Sequence, residues 1–259
     1  MSVRPKKYLG QHFLRDASKA ETIVSFLSPG SKNILEIGPG KGILTQFLFQ
    51  KNDCDVKVIE IDNEAVQHLI KLFPGRKEDI IHGDFLEIDL QHIFQKPFSI
   101  IGNFPYNISS QILFRVLENK NQVVEVTGMF QREVAERIAS PPGKKAYGIL
   151  SVMMQAFYDL EIVMKLDEED FSPPPKVKSA VVRMRRNTTK KLLSDEKLFF
   201  RVVKTAFNQR RKKLSNALSP LISKNNSAQL PYLDLRAEAL SWQKFDELAL
   251  LIGKIQPTA

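Results

Sequence analysis

A glycine-rich turn between a strand and a helix is the first feature of this sequence that could do chemistry. The strand-like residues 34–37 run into Gly-Pro-Gly-Lys-Gly at residues 38–42, and an apolar helical segment follows. Such a turn lets a ligand lie against bare backbone, beside the unpaired N–H groups of a helix start. A Walker phosphate loop is excluded, because Gly42 rather than Ser or Thr follows Lys41. A dinucleotide site, an S-adenosylmethionine site and a purely structural turn all remain open on this motif alone.

Two carboxylates follow the next two strands of the same pattern. Glu60 comes about twenty residues after the glycine turn, where a carboxylate accepts hydrogen bonds from ribose hydroxyls. Asp84 follows the third strand and can accept from an adenine amino group, although an Asp here is also a common helix cap or turn residue. Ligands of parallel sheets gather at the carboxyl ends of the strands, so we expect both side chains beside one crevice. They predict a nucleoside-containing cofactor, and Glu60 suits NAD as well as S-adenosylmethionine.

The segment Asn-Phe-Pro-Tyr at residues 103–106 points to the reaction. The lone pair of an adenine amino group is shared with the ring, so an enzyme that alkylates this nitrogen must hold its hydrogens with acceptors. Asn103 and a backbone carbonyl in a turn stiffened by Pro105 supply acceptors, and Tyr106 supplies a face on which a flipped base can stack. As an isolated tetrapeptide this would be an ordinary turn. After the glycine turn, Glu60 and Asp84, it predicts methylation of adenine N6.

With these motifs the chain resembles the ribosomal RNA adenine N6-dimethyltransferases, most closely the bacterial small-subunit (16S) dimethyladenosine transferases of the kasugamycin-resistance type. The resemblance covers nearly the whole chain, and its motifs lie in family order at residues 9–14, 36–42, 102–109, 171–177 and 206–212. It implies an α/β fold of the class I, Rossmann-like methyltransferase type with a small C-terminal helical domain. It also implies S-adenosylmethionine as the cofactor.

The resemblance assigns roles to individual residues around the cofactor. It implies that His12 and Leu14 border the cofactor and that Gly38 lines its methionine end. Glu60 would bind the ribose, and Asp84 the adenine.

The resemblance also implies a catalytic set. Asn103 would contact both the cofactor and the target amine, and Phe171 would face Tyr106 across the target adenine. Two positions depart from the family pattern, since His12 stands where many members have Asn, and Phe104 where Leu or Pro is usual.

Positive charge is concentrated in one stretch of the chain. The whole chain has 38 Lys and Arg against 29 Asp and Glu, and residues 176–213 alone hold fourteen basic and two acidic residues. A localised positive field is what neutralises a row of phosphates, so we expect an RNA-binding surface here. The alternative is a solvated basic helix that only keeps the protein soluble. The predicted RNA-binding residues are Lys204, Arg210, Arg211, Lys212 and Lys213.

These groups need a scaffold, and the sequence predicts one. From residue 33 short β-branched runs alternate with helical periods, which is typical of a parallel sheet with crossover helices. The first crossover helix is predicted to reach Gln50. Residues 158–166 and 179–184 predict an antiparallel pair of strands that completes this part of the chain.

The C-terminal part changes character. Helical periods take over from about residue 187, and residues 195–218 predict one helix with an apolar face and a basic face. We therefore expect a methyltransferase domain at residues 1–186 and a helical, basic RNA-binding domain at residues 187–259.

Composition and residue counts exclude several other classes. The longest stretch without a charged residue, 97–114, has 18 residues and includes Asn103, Pro105 and Asn107, so it is shorter and more polar than the roughly 20 apolar residues that span a bilayer. Cys54 is the single cysteine, and the four histidines show no paired ligand spacing, so we expect no disulfide and no metal. We expect a monomeric cytoplasmic protein that does not bind membranes.

The resulting hypothesis is dimethylation of two adjacent adenosines in a hairpin loop near the 3′ end of 16S rRNA, within immature 30S particles. One alternative is the large-subunit adenine methyltransferase of the macrolide-resistance type, in which the Asn103 position is commonly replaced and the Arg210 cluster differs. The other is a non-catalytic ribosome-assembly factor. The intact set of Gly38, Glu60 and Asp84 with Asn103 argues against it.

Overall fold

The computed structural model describes residues 3–188, 190–222 and 230–255. The chain forms two compact units, the first made of Met1–Ala135 with Leu160–Arg186 and the second of Glu136–Asp159 with Asn187–Ala259. The C-terminal segment of the second unit begins at Asn187, and residues 136–159 also belong to this unit. The two units therefore do not follow a single cut of the chain into residues 1–186 and 187–259.

The first unit is built on a seven-stranded sheet and a separate two-stranded pair. The sheet order is β4-β3-β2-β5-β6-β9-β7, in which β2 to β6 are parallel to their neighbours and β9 runs antiparallel to β6. The antiparallel pair joins β1 to β8. In chain order the strands are β1 (Phe13–Leu14), β2 (Asn33–Ile37), β3 (Asp55–Glu60), β4 (Ile80–His82), β5 (Phe98–Asn103), β6 (Val123–Gln131), β7 (Tyr158–Leu166), β8 (Phe171–Ser172) and β9 (Ser179–Arg186).

The central strands are apolar along their length because helices cover both faces of such sheets. In β5 the residues from Phe98 to Gly102 are all buried. The crossover helix after β2 is shorter than predicted, since only Thr45–Leu48 is helical and turns lie on both sides. The helices with residues in this unit are α1 (Ala17–Ser25), α2 (Thr45–Leu48), α3 (Asn63–Leu72), α4 (Ser109–Glu118) and α5 (Arg132–Ala139), the last of which crosses the unit boundary.

The second unit is helical. In the described ranges its helices are α6 (Ile149–Phe157), α7 (Glu196–Asn208), α8 (Leu214–Ala217) and α9 (Trp242–Ile255). Helices α6, α7 and α9 pack against one another around buried side chains that include Phe199 and Phe245. In α6 seven of the nine residues are buried, which explains why this segment belongs to the helical unit although it lies between strands of the sheet.

The single helix predicted over residues 195–218 is wrong beyond Asn208. The chain leaves the helix there, and the backbone N–H groups of Leu214 and Ser215 donate to the carbonyls of Leu235 and Leu233. A partner distant in sequence therefore replaces the helical hydrogen bonds, and helical periodicity cannot reveal such a partner. Within the described ranges, no helix combines the length and apolar character that crossing a membrane requires.

Candidate functional site

A cavity of about 250 Å³, here called the first cavity, opens at the carboxyl ends of the parallel strands. This is where ligands of open α/β sheets bind. Six of the predicted residues line it: His12, Gly38, Glu60, Asp84, Asn103 and Tyr106. The structure therefore brings together side chains from five separate segments of the sequence.

Glu60 joins the glycine turn to the end of β3. Its two carboxylate oxygens accept hydrogen bonds from the N–H groups of Gly40 (3.0 Å) and Asp62 (2.9 Å). Burial raises the pKa of Glu60, and the two backbone bonds oppose that rise. Gly40 has a φ of 54°, and a Cβ at this position would lie 2.6 Å from the ring of Phe13. Only glycine fits, so the backbone of the turn closes over the Glu60 carboxylate.

Gly38 leaves space where a ligand needs it. Its φ is 66°, and a Cβ built on it would meet nothing within 4 Å. Since Gly38 also lines the first cavity, this open space belongs to the cavity. A ligand can therefore lie directly against the backbone, as the sequence predicts for S-adenosylmethionine.

Glu36 is an acidic residue that sequence reasoning passed over. It is buried in β2 beneath the glycine turn, and the hydroxyl of Thr45 donates to its carboxyl group at 2.7 Å. Burial, with a smaller contribution from the nearby charge of Glu60, raises the pKa of Glu36 to about 8. Glu36 is therefore mostly protonated at neutral pH. The signal in the sequence was an acid inside an apolar strand.

Asp84 combines a structural bond with a free acceptor. One of its oxygens accepts from the N–H of Leu86 at 2.8 Å and shapes the loop after β4. Among the described residues no protein group donates to the other oxygen. Residues 85–87 form a turn, so Asp84 shapes a turn and caps no helix. The turn and ligand-binding interpretations of Asp84 are compatible, because each uses a different oxygen.

Asn103 stands at the end of β5 with its side chain held by the backbone of another segment. The amide nitrogen of Asn103 donates to the main-chain carbonyl of His12 at 2.6 Å. This bond fixes the carboxamide, so its oxygen is left as an acceptor in the wall of the first cavity. The contact depends on the chain fold around residue 12, and local sequence around Asn103 gives no sign of it.

Phe104 anchors the Asn103 loop. Its ring is 1% exposed and lies against Gly102 and Gly128, which pair across β5 and β6. A Cβ would come within 2.8 Å of the ring at Gly102 and within 2.3 Å at Gly128. The two glycines therefore create the space that Phe104 fills, and this fit explains how the chain accommodates an aromatic side chain at that position.

Tyr106 has one face covered by His12. The two rings stack with centroids 5.6 Å apart and an angle of 23° between planes. The Nδ1–H of His12 donates to the carbonyl of Pro173 at 2.8 Å, and the Tyr106 hydroxyl bonds to the Ser179 hydroxyl. A base can stack on Tyr106 only from the opposite side or after His12 turns away. Burial raises the pKa of Tyr106, so its hydroxyl stays protonated at neutral pH.

Two predicted residues lie elsewhere. Leu14 and Phe171 are paired across β1 and β8, and both belong to the buried core of the first unit. Phe171 is 1% exposed and does not line the first cavity, so its ring offers no open face to a base. Leu14 lines only a narrow neighbouring pocket together with Glu36 and Asn103. The resemblance implies that Phe171 stacks on the target adenine, but in this structure the ring is buried and has no exposed face for a base.

The predicted RNA-binding residues of the second unit fall into two groups. The Arg210 guanidinium bonds to the Glu238 carboxylate at 2.8 Å and to the Lys145 carbonyl at 2.5 Å. Arg210 is thus engaged inside its own unit. The exposed residues are Lys204, Arg211, Lys212 and Lys213.

Within the described ranges, no three His, Cys, Asp or Glu side chains are grouped so that they could hold a metal ion.

Comparison with known proteins identifies the family of the chain. A family model described as "Ribosomal RNA adenine dimethylase" matches residues 3–240. The chain is 54% identical over 255 residues to the ribosomal RNA small subunit methyltransferase A of Cytophaga hutchinsonii, which covers 97% of this chain and 99% of the relative. It is 52% identical over 254 residues to the protein of the same name from Parabacteroides distasonis, with coverages of 97% and 95%.

Solved structures give the same fold. A dimethyladenosine transferase from Plasmodium falciparum superposes with a TM-score of 0.79 at 22% identity, over 95% of this chain and 98% of that one. The 23S rRNA methyltransferase ErmE superposes with a TM-score of 0.68 at 27% identity, over 92% and 99%. The predicted class I methyltransferase fold is confirmed.

Proposed function

Because the chain belongs to the ribosomal RNA adenine dimethylase family, we propose that it transfers methyl groups from S-adenosylmethionine to N6 of two adjacent adenosines. The substrate is a hairpin loop near the 3′ end of small-subunit (16S) rRNA, and each adenosine receives two methyl groups. The protein is an S-adenosylmethionine-dependent rRNA adenine dimethyltransferase.

The observation that carries this proposal is the fixed carboxamide of Asn103. Its nitrogen is bonded to the His12 carbonyl, which leaves its oxygen to accept a hydrogen from the target amine. The Phe104 carbonyl, held in place by the buried Phe104 ring, is the second acceptor we propose. Two acceptors would turn the nitrogen lone pair out of conjugation and toward the methyl donor. Holding the amine in this orientation raises the reaction rate, because the nitrogen and the methyl group are already aligned for attack.

The first cavity has the groups that a cofactor with an adenosine end requires. Glu60 would accept from the ribose hydroxyls with lone pairs that its backbone bonds leave free, and the free Asp84 oxygen would accept from the adenine amine. The methionine end would lie in the space at Gly38. S-adenosylmethionine, when bound, supplies an electrophilic methyl group on a positively charged sulfur.

No strong base is needed for the proton that the amine releases. Tyr106 follows Asn103 by three residues and carries a hydroxyl group. Burial raises the pKa of this hydroxyl, so it stays protonated and is a poor proton acceptor. The proton can leave to water after transfer, since the amine becomes acidic once it carries the new methyl group. The role of Tyr106 is then to stack on the base.

The exposed basic residues Lys204, Arg211, Lys212 and Lys213 are proposed to bind RNA phosphates. The partner we propose is small-subunit rRNA within immature 30S particles, bound by a monomer in the cytoplasm.

One experiment tests the function against its rivals. Radiolabelled methyl transfer is measured on immature 30S particles, free 16S rRNA and 23S rRNA, and the labelled nucleoside is identified after digestion. We expect N6,N6-dimethyladenosine in the small-subunit samples. Labelling confined to 23S rRNA would identify the large-subunit activity instead. Tight binding to immature particles without any transfer would identify a non-catalytic assembly factor.

A further inference from the structure

A second cavity of about 650 Å³ lies beside the first cavity. The two cavities share Gly10, Gln11, His12 and Tyr106, so the second cavity adjoins the proposed target site directly. It is large enough for a nucleotide, since cavities of roughly 300 to 1,000 Å³ hold ligands of that size. Its remaining lining includes Lys7, Gln131, the prolines 173–175 and Lys176.

The charge of this cavity is entirely positive. Lys7 and Lys176 line it, and no Asp or Glu does so among the described residues. Two nearby lysines each form an ion pair with a carboxylate. Lys6 is paired with Asp62, and Lys178 is paired with Asp167 at 2.7 Å. In the described part of the chain neither Lys7 nor Lys176 has such a carboxylate partner. Two uncompensated cations at the rim of one cavity are suited to an anion such as a phosphate group.

The other lining groups suit a nucleobase. Pro173 and Pro174 are exposed and present flat, uncharged ring faces, which do not compete for hydrogen bonds. Gln131 ends β6 and is half-buried, and its side-chain amide has no protein partner among the described residues. A Gln amide matches the acceptor and donor on the adenine N7 and N6 edge. Unstacked RNA bases are commonly read by such edge contacts.

We propose that the second cavity binds the nucleotide adjacent to the target adenosine in the same RNA strand. This inference rests on the proposed function and adds a specificity determinant to it. Lys7 and Lys176 bind the flanking phosphates, the proline rings contact the base, and Gln131 reads its edge with a preference for adenine. A target adenosine next to another adenosine is thereby distinguished from an isolated one.

The contact between Gln131 and the neighbouring base is tested by a double-mutant cycle, in which the protein and the RNA are changed separately and together. Immature 30S particles are reconstituted with the natural pair of adenosines or with either one replaced by uridine. We expect Gln131→Ala to lower kcat/KM about tenfold on the natural particles. On the particles in which the neighbour is uridine, the same variant should have almost no further effect, because the contact is already lost.

The outcomes of the cycle separate this inference from the proposed function. If the two changes multiply in an enzyme that is active on natural particles, Gln131 does not read the neighbouring base and the inference is overturned. If the wild-type protein transfers no methyl group to any particle, the proposed function fails and the inference falls with it. Unchanged S-adenosylmethionine affinity of Gln131→Ala serves as the check that the fold is intact.

The phosphate-binding part has a matched control in the sequence. Lys7→Ala and Lys176→Ala should each flatten the plot of log affinity for the particle against log salt, by about 0.7 slope units. Lys178→Ala, two residues from Lys176 but paired with Asp167, should leave the slope unchanged. Equal slopes for all three variants and the wild type would show that the cavity binds no phosphate.

Discussion

The two cavities that meet at His12 and Tyr106 carry opposite charge. Among the described residues, Glu60 and Asp84 line the first cavity and no Lys or Arg does. The second cavity has lysines and no acid. The sulfonium of S-adenosylmethionine is a cation, whereas RNA is a polyanion. Charge therefore favours the cationic cofactor in the first cavity and the phosphates of the RNA in the second.

The cavities also differ in how their charges are held. Both oxygens of Glu60 and one oxygen of Asp84 accept backbone hydrogen bonds, which fix these carboxylates in place. Lys7 and Lys176 are exposed, and each carries its ammonium group at the end of a long, flexible side chain. A rigid site suits a cofactor of one shape, while mobile cations suit a backbone that must be drawn in from solution.

The largest effect is expected at the proposed acceptor for the target amine. Asn103→Ala removes the oriented acceptor, and we expect the methylation rate to fall by about a hundredfold or more. RNA binding should change little, because no phosphate contact is lost. Asn33→Ala is the control, since Asn33 also donates from its amide to a backbone carbonyl but lies outside the lining of both cavities. Near wild-type turnover of Asn103→Ala would show that the target amine lies elsewhere.

A smaller effect is expected within the first cavity. Asp84→Asn keeps the acceptor for the Leu86 N–H but places an amide where the adenine amine must donate. We expect S-adenosylmethionine affinity, measured by calorimetry, to fall about tenfold or more, in line with a lost bond to a charged acceptor. The matched control is Asp89→Asn, because Asp89 accepts from the Gln91 N–H in the same way outside the cavity. Equal cofactor affinities for the two variants would remove Asp84 from the binding site.

The basic residues of the second unit test how far RNA binding extends beyond the second cavity. Arg211→Glu combined with Lys212→Glu should lower RNA affinity about tenfold at moderate salt and flatten the salt dependence by roughly 0.7 to 0.9 slope units for each contact. Cofactor affinity should stay the same. Arg210→Ala should instead lower the melting temperature, since it breaks the bond to Glu238. If the double variant keeps the salt dependence of wild-type RNA binding, these residues contact no phosphate and only keep the protein soluble.

The smallest effect on catalysis is expected from Glu36→Gln, which acts through stability. The pKa of Glu36 is about 8 in the folded protein and 4.5 in a free side chain. Between these values the folded state keeps a proton that the unfolded chain releases, so the free energy of unfolding falls as pH rises. The variant cannot titrate and should escape this decline.

Urea denaturation of both proteins at pH 6 and pH 8 measures the effect. We expect the variant to gain about 2 kcal/mol relative to the wild type over this interval. Parallel pH dependence of the two proteins would show that Glu36 is already ionised in the fold.

The sequence by itself determined the residues of the first cavity. Glu60, Asp84 and Asn103 each end or follow a strand, and the carboxyl ends of parallel strands meet at one edge of a sheet. Local pattern therefore implies proximity in space for this class of fold. The charge of the segment that includes Arg211 was likewise readable, because it depends only on composition.

The tertiary structure alone decided which residues of one type face a ligand and which face the protein. Phe171 and Tyr106 are both aromatic residues in the family motifs, yet Phe171 is buried in the core. Arg210 and Arg211 are adjacent in sequence, yet only Arg210 meets Glu238. Periodicity and composition report how much of a segment is buried or charged. They do not report the partner, because burial and pairing are set by contacts between residues that are far apart along the chain.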